Sequence, residues 1–139
     1  MDLDRALDFA AQHSTAALIT IRRDGRPQSS DISYDIQGGV IRISITADRA
    51  KTSNIRRDPR VVVHVSVPRS WSYVSLDGTA ELGEVASVPG DATCRQLAEH
   101  YESVAGKPHP DWDEYFRAMV ADRRLLALVR PTSAVGVVN

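Results

Sequence analysis

Asp48-Arg-Ala-Lys-Thr-Ser-Asn-Ile-Arg-Arg-Asp-Pro-Arg60 stands between two β-branched runs, Val40–Thr46 and Val61–Val67. Between strands of that kind, Ala50 to Asp58 has room for one short helix. Pro59 ends it, because a proline disfavours the helical region for the residue before it. Lys51 then falls in the first turn, where unpaired backbone N–H groups favour an anion and oppose a cation. Arg49, Lys51, Arg56, Arg57 and Arg60 crowd this segment in a chain whose formal net charge is only -1. Two readings follow. The segment is a solvated basic connection, or it is the seat of a phosphate-bearing ligand.

Outward from this segment the pattern is that of short strands joined by turns. On the N-terminal side, Leu3, Ala6, Leu7 and Ala10 repeat at helical spacing and predict a helix over Asp2–Gln12. Ala16–Arg22 alternates as a strand, and Asp24-Gly25-Arg26-Pro27 turns into a polar strand over Gln28–Ile36. On that strand Gln28, Ser30, Ile32 and Tyr34 share one face, and Ser29, Asp31, Ser33 and Asp35 the other. So polar a strand needs a polar neighbour, and solvent is the simplest. Gln37-Gly38-Gly39 closes a hairpin into Val40–Thr46.

On the C-terminal side, Val61–Val67 reads as a strand buried on both faces. Strands are expected at Trp71–Leu76 and Thr79–Val85, with a turn at Asp77-Gly78, and at Leu125–Val129 and Ala134–Val138. Cys94, Leu97, Ala98, Tyr101, Val104 and Ala105 mark a helix over Asp91–Ala105, ended by Gly106. Asp111-Trp-Asp-Glu114 resembles a capping box for a second helix, whose Trp112, Tyr115, Phe116, Met119 and Val120 form a stripe read as core. Seven or eight short strands without alternating strand–helix units predict a mainly β fold. Its form is an antiparallel barrel decorated by helices, in one domain over residues 1–139.

Composition narrows the function classes. The chain has 139 residues, 42% hydrophobic and 25% charged, which suits a globular protein with a sizeable core. Balanced charge argues against nucleic acid or a membrane surface as partner. The start lacks the basic and apolar regions of a signal peptide, and no apolar run reaches membrane-spanning length, so a cytoplasmic location is expected. Cys94 is the one cysteine, and His13, His64, His100 and His109 are scattered without metal-ligand spacing. No nucleophile elbow, P-loop or dinucleotide fingerprint is present. Asp31 and Asp35 could pair as catalytic acids, but on one strand with no third partner they read as surface groups. If the chain is an enzyme, a bound cofactor carries the reaction and no side chain is assigned a catalytic role.

Gly25–Tyr34 followed by Arg49–Arg60 resembles the flavin/deazaflavin oxidoreductase superfamily, the pyridoxamine 5′-phosphate oxidase-like or split β-barrel group. The likeness is strongest to the actinobacterial branch that uses the deazaflavin coenzyme F420. Gly78-Thr-Ala80, Asp111–Tyr115 and Ala118–Arg124 agree with it, and it extends from the first helix to Pro131. The resemblance implies a Greek-key-like split barrel of the FMN-binding type, and a homodimer with two cofactor sites at its interface. It implies that Arg49, Ala50, Lys51 and Asn54 bind the cofactor's phosphate region. Gln28, Ser30 and Asp31 would line the ring and ribityl chain, Trp71 and Tyr73 would stand near the ring or substrate, and Arg56 or Arg57 would meet an acidic tail. Two departures stand out: Asp31 occupies a position where relatives often carry Asn, and Ala134–Asn139 lacks the Arg- and His-containing tail of true pyridoxamine phosphate oxidases. The expected activity is hydride transfer from reduced F420 to a small organic substrate. An FMN-dependent oxidoreductase and a non-catalytic F420 carrier are the alternatives.

Overall fold

A computed structural model describes residues 1–139. Six strands, β1 (Thr15–Ile21), β2 (Pro27–Gln37), β3 (Val40–Thr46), β4 (Arg60–Val67), β5 (Ser72–Leu82) and β6 (Arg124–Val137), close into a barrel. The order around it is β1-β2-β3-β6-β5-β4, and every pairing is antiparallel. Four helices decorate it: α1 (Leu3–Ala10), α2 (Ala50–Arg57), α3 (Ala92–Ala105) and α4 (Trp112–Ala121). The mainly β split-barrel expectation holds.

Inward residues of all six strands, among them Leu18, Tyr34, Ile43, Val63, Leu76 and Val129, form one apolar core. The α1 helix adds Ala6, Phe9 and Ala10 to it, and the buried Tyr34 hydroxyl donates to the Ala10 carbonyl at 2.6 Å. A buried phenol needs such a partner. A smaller cluster beside the barrel joins Cys94, Leu97, Tyr115 and Leu126, with Tyr101, Trp112 and Phe116 packed on it. The aromatic stripe of α4 is therefore core, as expected. Its cap is half a capping box. Asp111 accepts from the Glu114 amide at 3.1 Å, but the Asp111 amide donates to His109 Nδ1 and not to Glu114.

Three strand expectations need correction. Asp77-Gly78 is no turn, since β5 runs through it from Ser72 to Leu82. Leu125–Val129 and Ala134–Val138 are parts of the one strand β6. The two facts have one cause. Asp77 pairs with Ser133 and Gly78 with Pro131, so Thr132 is an extra residue, a bulge that bends both strands without ending them. Gly78 permits the close crossing, because a Cβ there would lie 2.8 Å from the Arg130 carbonyl oxygen. Finally, β4 buries Val61, Val63 and Val65 but leaves Val62 and His64 half-buried, so the chain covers only one of its faces.

The barrel forks between β2 and β3. The first seven residues of β2, Pro27–Ser33, pair with β1, and only Tyr34–Gln37 pair with β3. β3 pairs with β6 on its other edge from Ile41 to Thr46, so Ser44–Thr46 have no partner on the β2 side. The helix α2 follows directly from that end of β3. No helix is long and apolar enough to cross a membrane.

Candidate functional site

The fork holds a groove. Asp31, Ile32 and Ser33 line one side, Ser44, Ile45 and Thr46 the other, and Arg49, Lys51, His100 and Arg124 complete a cavity of about 460 Å³. A second cavity of about 560 Å³ shares Asp31, Ile32 and Ser33 with it and continues to His64 and Ser66. From there a third reaches Pro68, Trp71 and Tyr73. At the opposite end a further cavity shares Thr46, Arg49 and Arg124 and opens onto Arg123, with Asp48 and Asp122 also on its walls. The cavities adjoin in one line, basic at one end and aromatic at the other.

The basic end has Asp48 and Asp122 near it but no acid in contact with its cations. None of Arg49, Lys51 and Arg124 forms an ion pair. Burial pushes the Lys51 ammonium below its ordinary value, and the charges of Arg49 and Arg124 push it further. The Thr46 hydroxyl and Arg124 Nε are buried without any hydrogen-bond partner. Arg49 caps α2 without a side-chain bond, and the first helical amides, Ala50 and Lys51, lie where a helix leaves its N–H groups unpaired. Buried donors normally have acceptors. A phosphate or carboxylate group in the groove would neutralise Lys51 and accept from the first amides of α2.

The proposed site residues divide into three sets. Asp31, Arg49 and Lys51 meet in the groove, with Ala50 exposed beside them. Gln28 and Arg57 instead each bond to Asn54, in the second half of α2. Asn54 Nδ2 donates to Gln28 Oε1 (3.0 Å) and to the Thr20 hydroxyl (3.1 Å), while Arg57 donates to Asn54 Oδ1 (3.0 Å) and the Ile21 carbonyl (2.9 Å). Ser30 shares the inner face of β2 with Gln28, and its hydroxyl is buried without a partner. Trp71 and Tyr73 stand at the remote end, Trp71 being 83% exposed and in a left-handed conformation (φ 57°), and Tyr73 5.5 Å from the His64 ring.

Asp35 is not a surface group. The α3 helix covers the outer face of β2 there, leaving Asp35 and Arg42 each 8% exposed and His100 5%. Arg42 Nε donates to Oδ1 of Asp35 at 3.0 Å and its terminal nitrogen to Oδ2, while His100 Nδ1 lies 2.7 Å from Oδ1. Burial pushes the Asp35 carboxyl up, but the hydrogen bonds and charges of His100 and Arg42 outweigh it and hold the group at about 2.

Sequence reasoning missed Arg124 and His100 as groove residues. Arg124 closes the Ala118–Arg124 run that helped to carry the resemblance, so a signal existed. His100 gave none, since its partner Asp35 is 65 positions away.

The sequence profile described as Pyridoxamine 5'-phosphate oxidase matches residues 3–130. The chain belongs to that family. Among solved structures, this pyridoxamine 5'-phosphate oxidase family member is similar to an F420 reductase at 26% identity, covering 88% of this chain and 89% of the other with a TM-score of 0.60. A conserved hypothetical protein from Mycobacterium tuberculosis matches at 24% identity over 98% of this chain and 84% of that one, with a TM-score of 0.75. A heme binding protein from Mycobacterium smegmatis matches at 23% over 97% of this chain but 53% of its own, with a TM-score of 0.72. The last two establish the family fold alone.

Proposed function

We propose that this chain is an oxidoreductase that binds the deazaflavin coenzyme F420 in the forked groove and reduces a small organic substrate with it. The observation that carries the reading is the cluster of Arg49, Lys51 and Arg124, unpaired, with the buried orphans Thr46 Oγ1 and Arg124 Nε beside it. Lys51, Arg124 and the first amides of α2 would hold the phosphate. Past that point Arg123, with Asp48 and Asp122 beside it, offers one further cation to a ligand whose negative charge continues beyond its phosphate. Arg57, bonded to β1 and Asn54, leaves that task to Arg49 and Arg123. The likeness to an F420 reductase supports the same choice.

The chemistry is the cofactor's: reduced deazaflavin supplies a hydride when bound. The chain's residues bind it, orient it and shield it from water. Asp31 and Ser33 stand midway along the groove, where they can bond to the polar middle of a long ligand. His64, Tyr73 and Trp71 leave a partly apolar space of about 310 Å³ for a substrate at the far end. FMN is the second reading, because its phosphate suits Lys51 and Arg124 equally well. A carrier without turnover would use the same contacts. Anaerobic oxidation of the reduced deazaflavin, followed by absorbance with a panel of quinones, enones, nitro compounds and tetrapyrroles, tests for turnover. Protein-dependent oxidation supports the reductase, while tight binding with no acceptor reduced across the panel contradicts it and leaves the carrier.

A further inference from the structure

Trp71 occupies a position that suits almost any small residue better. It follows the single helical turn Pro68–Ser70 that joins β4 to β5, and its φ of 57° is left-handed. Glycine or asparagine adopts that conformation at little cost, and a bulky residue does not. The fold gains no packing in return, since the side chain is 83% exposed and its ring pairs with no other aromatic ring. What holds the turn arrives from the far end of β6. Gly136 lets that strand run tightly along β5, because a Cβ there would collide with the Tyr73 carbonyl oxygen. Val138 then packs on the core, and Asn139 closes on the turn. Its backbone amide donates to the Ser72 hydroxyl at 2.9 Å, and its Nδ2 donates to the carbonyls of Ser70 (3.2 Å) and Trp71 (3.0 Å). Strained residues persist only where the surroundings fix them, and they gather at ligand sites.

We propose that Asn139 is a positioning residue for the substrate end of the groove. By clamping the Ser70 and Trp71 carbonyls it holds the indole as one wall of the cavity there, against which a flat, uncharged, conjugated molecule stacks. The inference rests on that cavity being the substrate's. Trp71 lines its space of about 310 Å³ together with His64 and Tyr73, whose rings lie 5.5 Å apart and 32° from parallel. No acid, lysine or arginine is on its walls, so nothing there would balance a charge on the ligand. An indole face attracts a flat unsaturated ring in offset stacking, beyond the area it buries. Asn139 itself does not line the cavity, so its side chain acts on a ligand only through Trp71. Without the clamp the turn relaxes to ordinary conformations, the fraction of protein ready to bind falls, and apparent affinity falls with it. A turn that only had to join β4 to β5 would be served by glycine at this position and would need no clamp.

Free protein labelled with fluorotryptophan tests this by fluorine NMR without any cofactor, Trp71→Phe separating the Trp71 signal from that of Trp112. The probe is para-nitrobenzamide, which is flat and uncharged, with cyclohexanecarboxamide as its saturated counterpart. The nitroarene is expected to shift the Trp71 signal saturably and leave Trp112 unmoved, and the saturated amide to shift neither. No shift, or one that never saturates, overturns the proposal and marks the ring as a contact between copies of the chain. Asn139→Ala removes the side-chain amide, and Asn139→Asp keeps its shape without its donors. Both are expected to move or broaden the Trp71 signal and to weaken probe binding roughly tenfold, in proportion to the lost left-handed population. A merely structural tie would lower the melting temperature and leave the folded protein's affinity for the probe unchanged, and that result overturns the positioning role. Failure of the deazaflavin to bind sinks the cofactor reading while the probe result stands; equal probe affinity in the parent and both variants sinks this inference alone.

Discussion

Lys51 is held where the free protein gains nothing from it. Burial and the charges of Arg49 and Arg124 both disfavour its ammonium, and its place in the first turn of α2 opposes the helix dipole. Lys51→Ala should therefore melt no lower than the parent, since Ala is the better helix former. Loss of a charge-assisted bond worth about 1.5–3 kcal/mol should weaken cofactor binding roughly ten- to hundred-fold, read by calorimetric titration. Asp35 makes the opposite case. Its folded value of about 2 lies below the ordinary unfolded value of about 3.9, so its stabilisation is complete above about pH 4 and fades as pH falls toward 2. Asp35→Asn leaves the buried Arg42 with only the exposed Glu99, 3.6 Å away, as counter-charge and should cost about 3 kcal/mol near neutrality, a gap that narrows through that acid window in thermal melts. Lys51 was legible in the sequence because a cation at a helix start is locally anomalous. Asp35 was not, because its burial depends on a helix that arrives from far along the chain.

The helix α2 is fixed at both ends. The Thr52 hydroxyl donates to the Thr46 carbonyl at 2.6 Å, and Asn54 ties the other end to Thr20 and Gln28. Asn54 is buried with its donors and acceptor used. Asn54→Ala strands Thr20, Gln28 and Arg57 together, and should cost about 1–3 kcal/mol in chemical denaturation. It should also weaken cofactor binding less than Lys51→Ala, because none of these contacts faces the groove. The start of α2 and its end before Pro59 were readable from local rules. So were the hairpins through β1, β2 and β3. The continuity of β5 and β6 was not. Asp77-Gly78 and Pro131 both carry turn chemistry, and only the pairing of the two strands across the bulge shows that each bends without stopping.

The whole molecule leaves apolar surface that one chain does not cover. Trp71, Tyr73, Val135 and Val137 are exposed around β5 and β6, and Tyr73 pairs directly opposite Val137. A second copy of the chain covering this face would also shield the aromatic end of the groove. Solution scattering at micromolar concentration should then report a dimer, whose interface buries on the order of 2,000 Å². A folded monomer under those conditions contradicts the two-chain site. The barrel itself was legible from the rhythm of short strands. The groove was not, because it exists only where β2 leaves β3, and no residue pattern marks that parting. The central claim is that the groove is a long anionic cofactor's seat, with cations placed for both its phosphate and the charge beyond. Calorimetric titration of the chain with the deazaflavin and with FMN, each at low and high salt, tests it most directly. Tighter binding of the deazaflavin, weakened more by salt than that of FMN, is the predicted result. Equal affinity with equal salt dependence, or no binding of either, would contradict it.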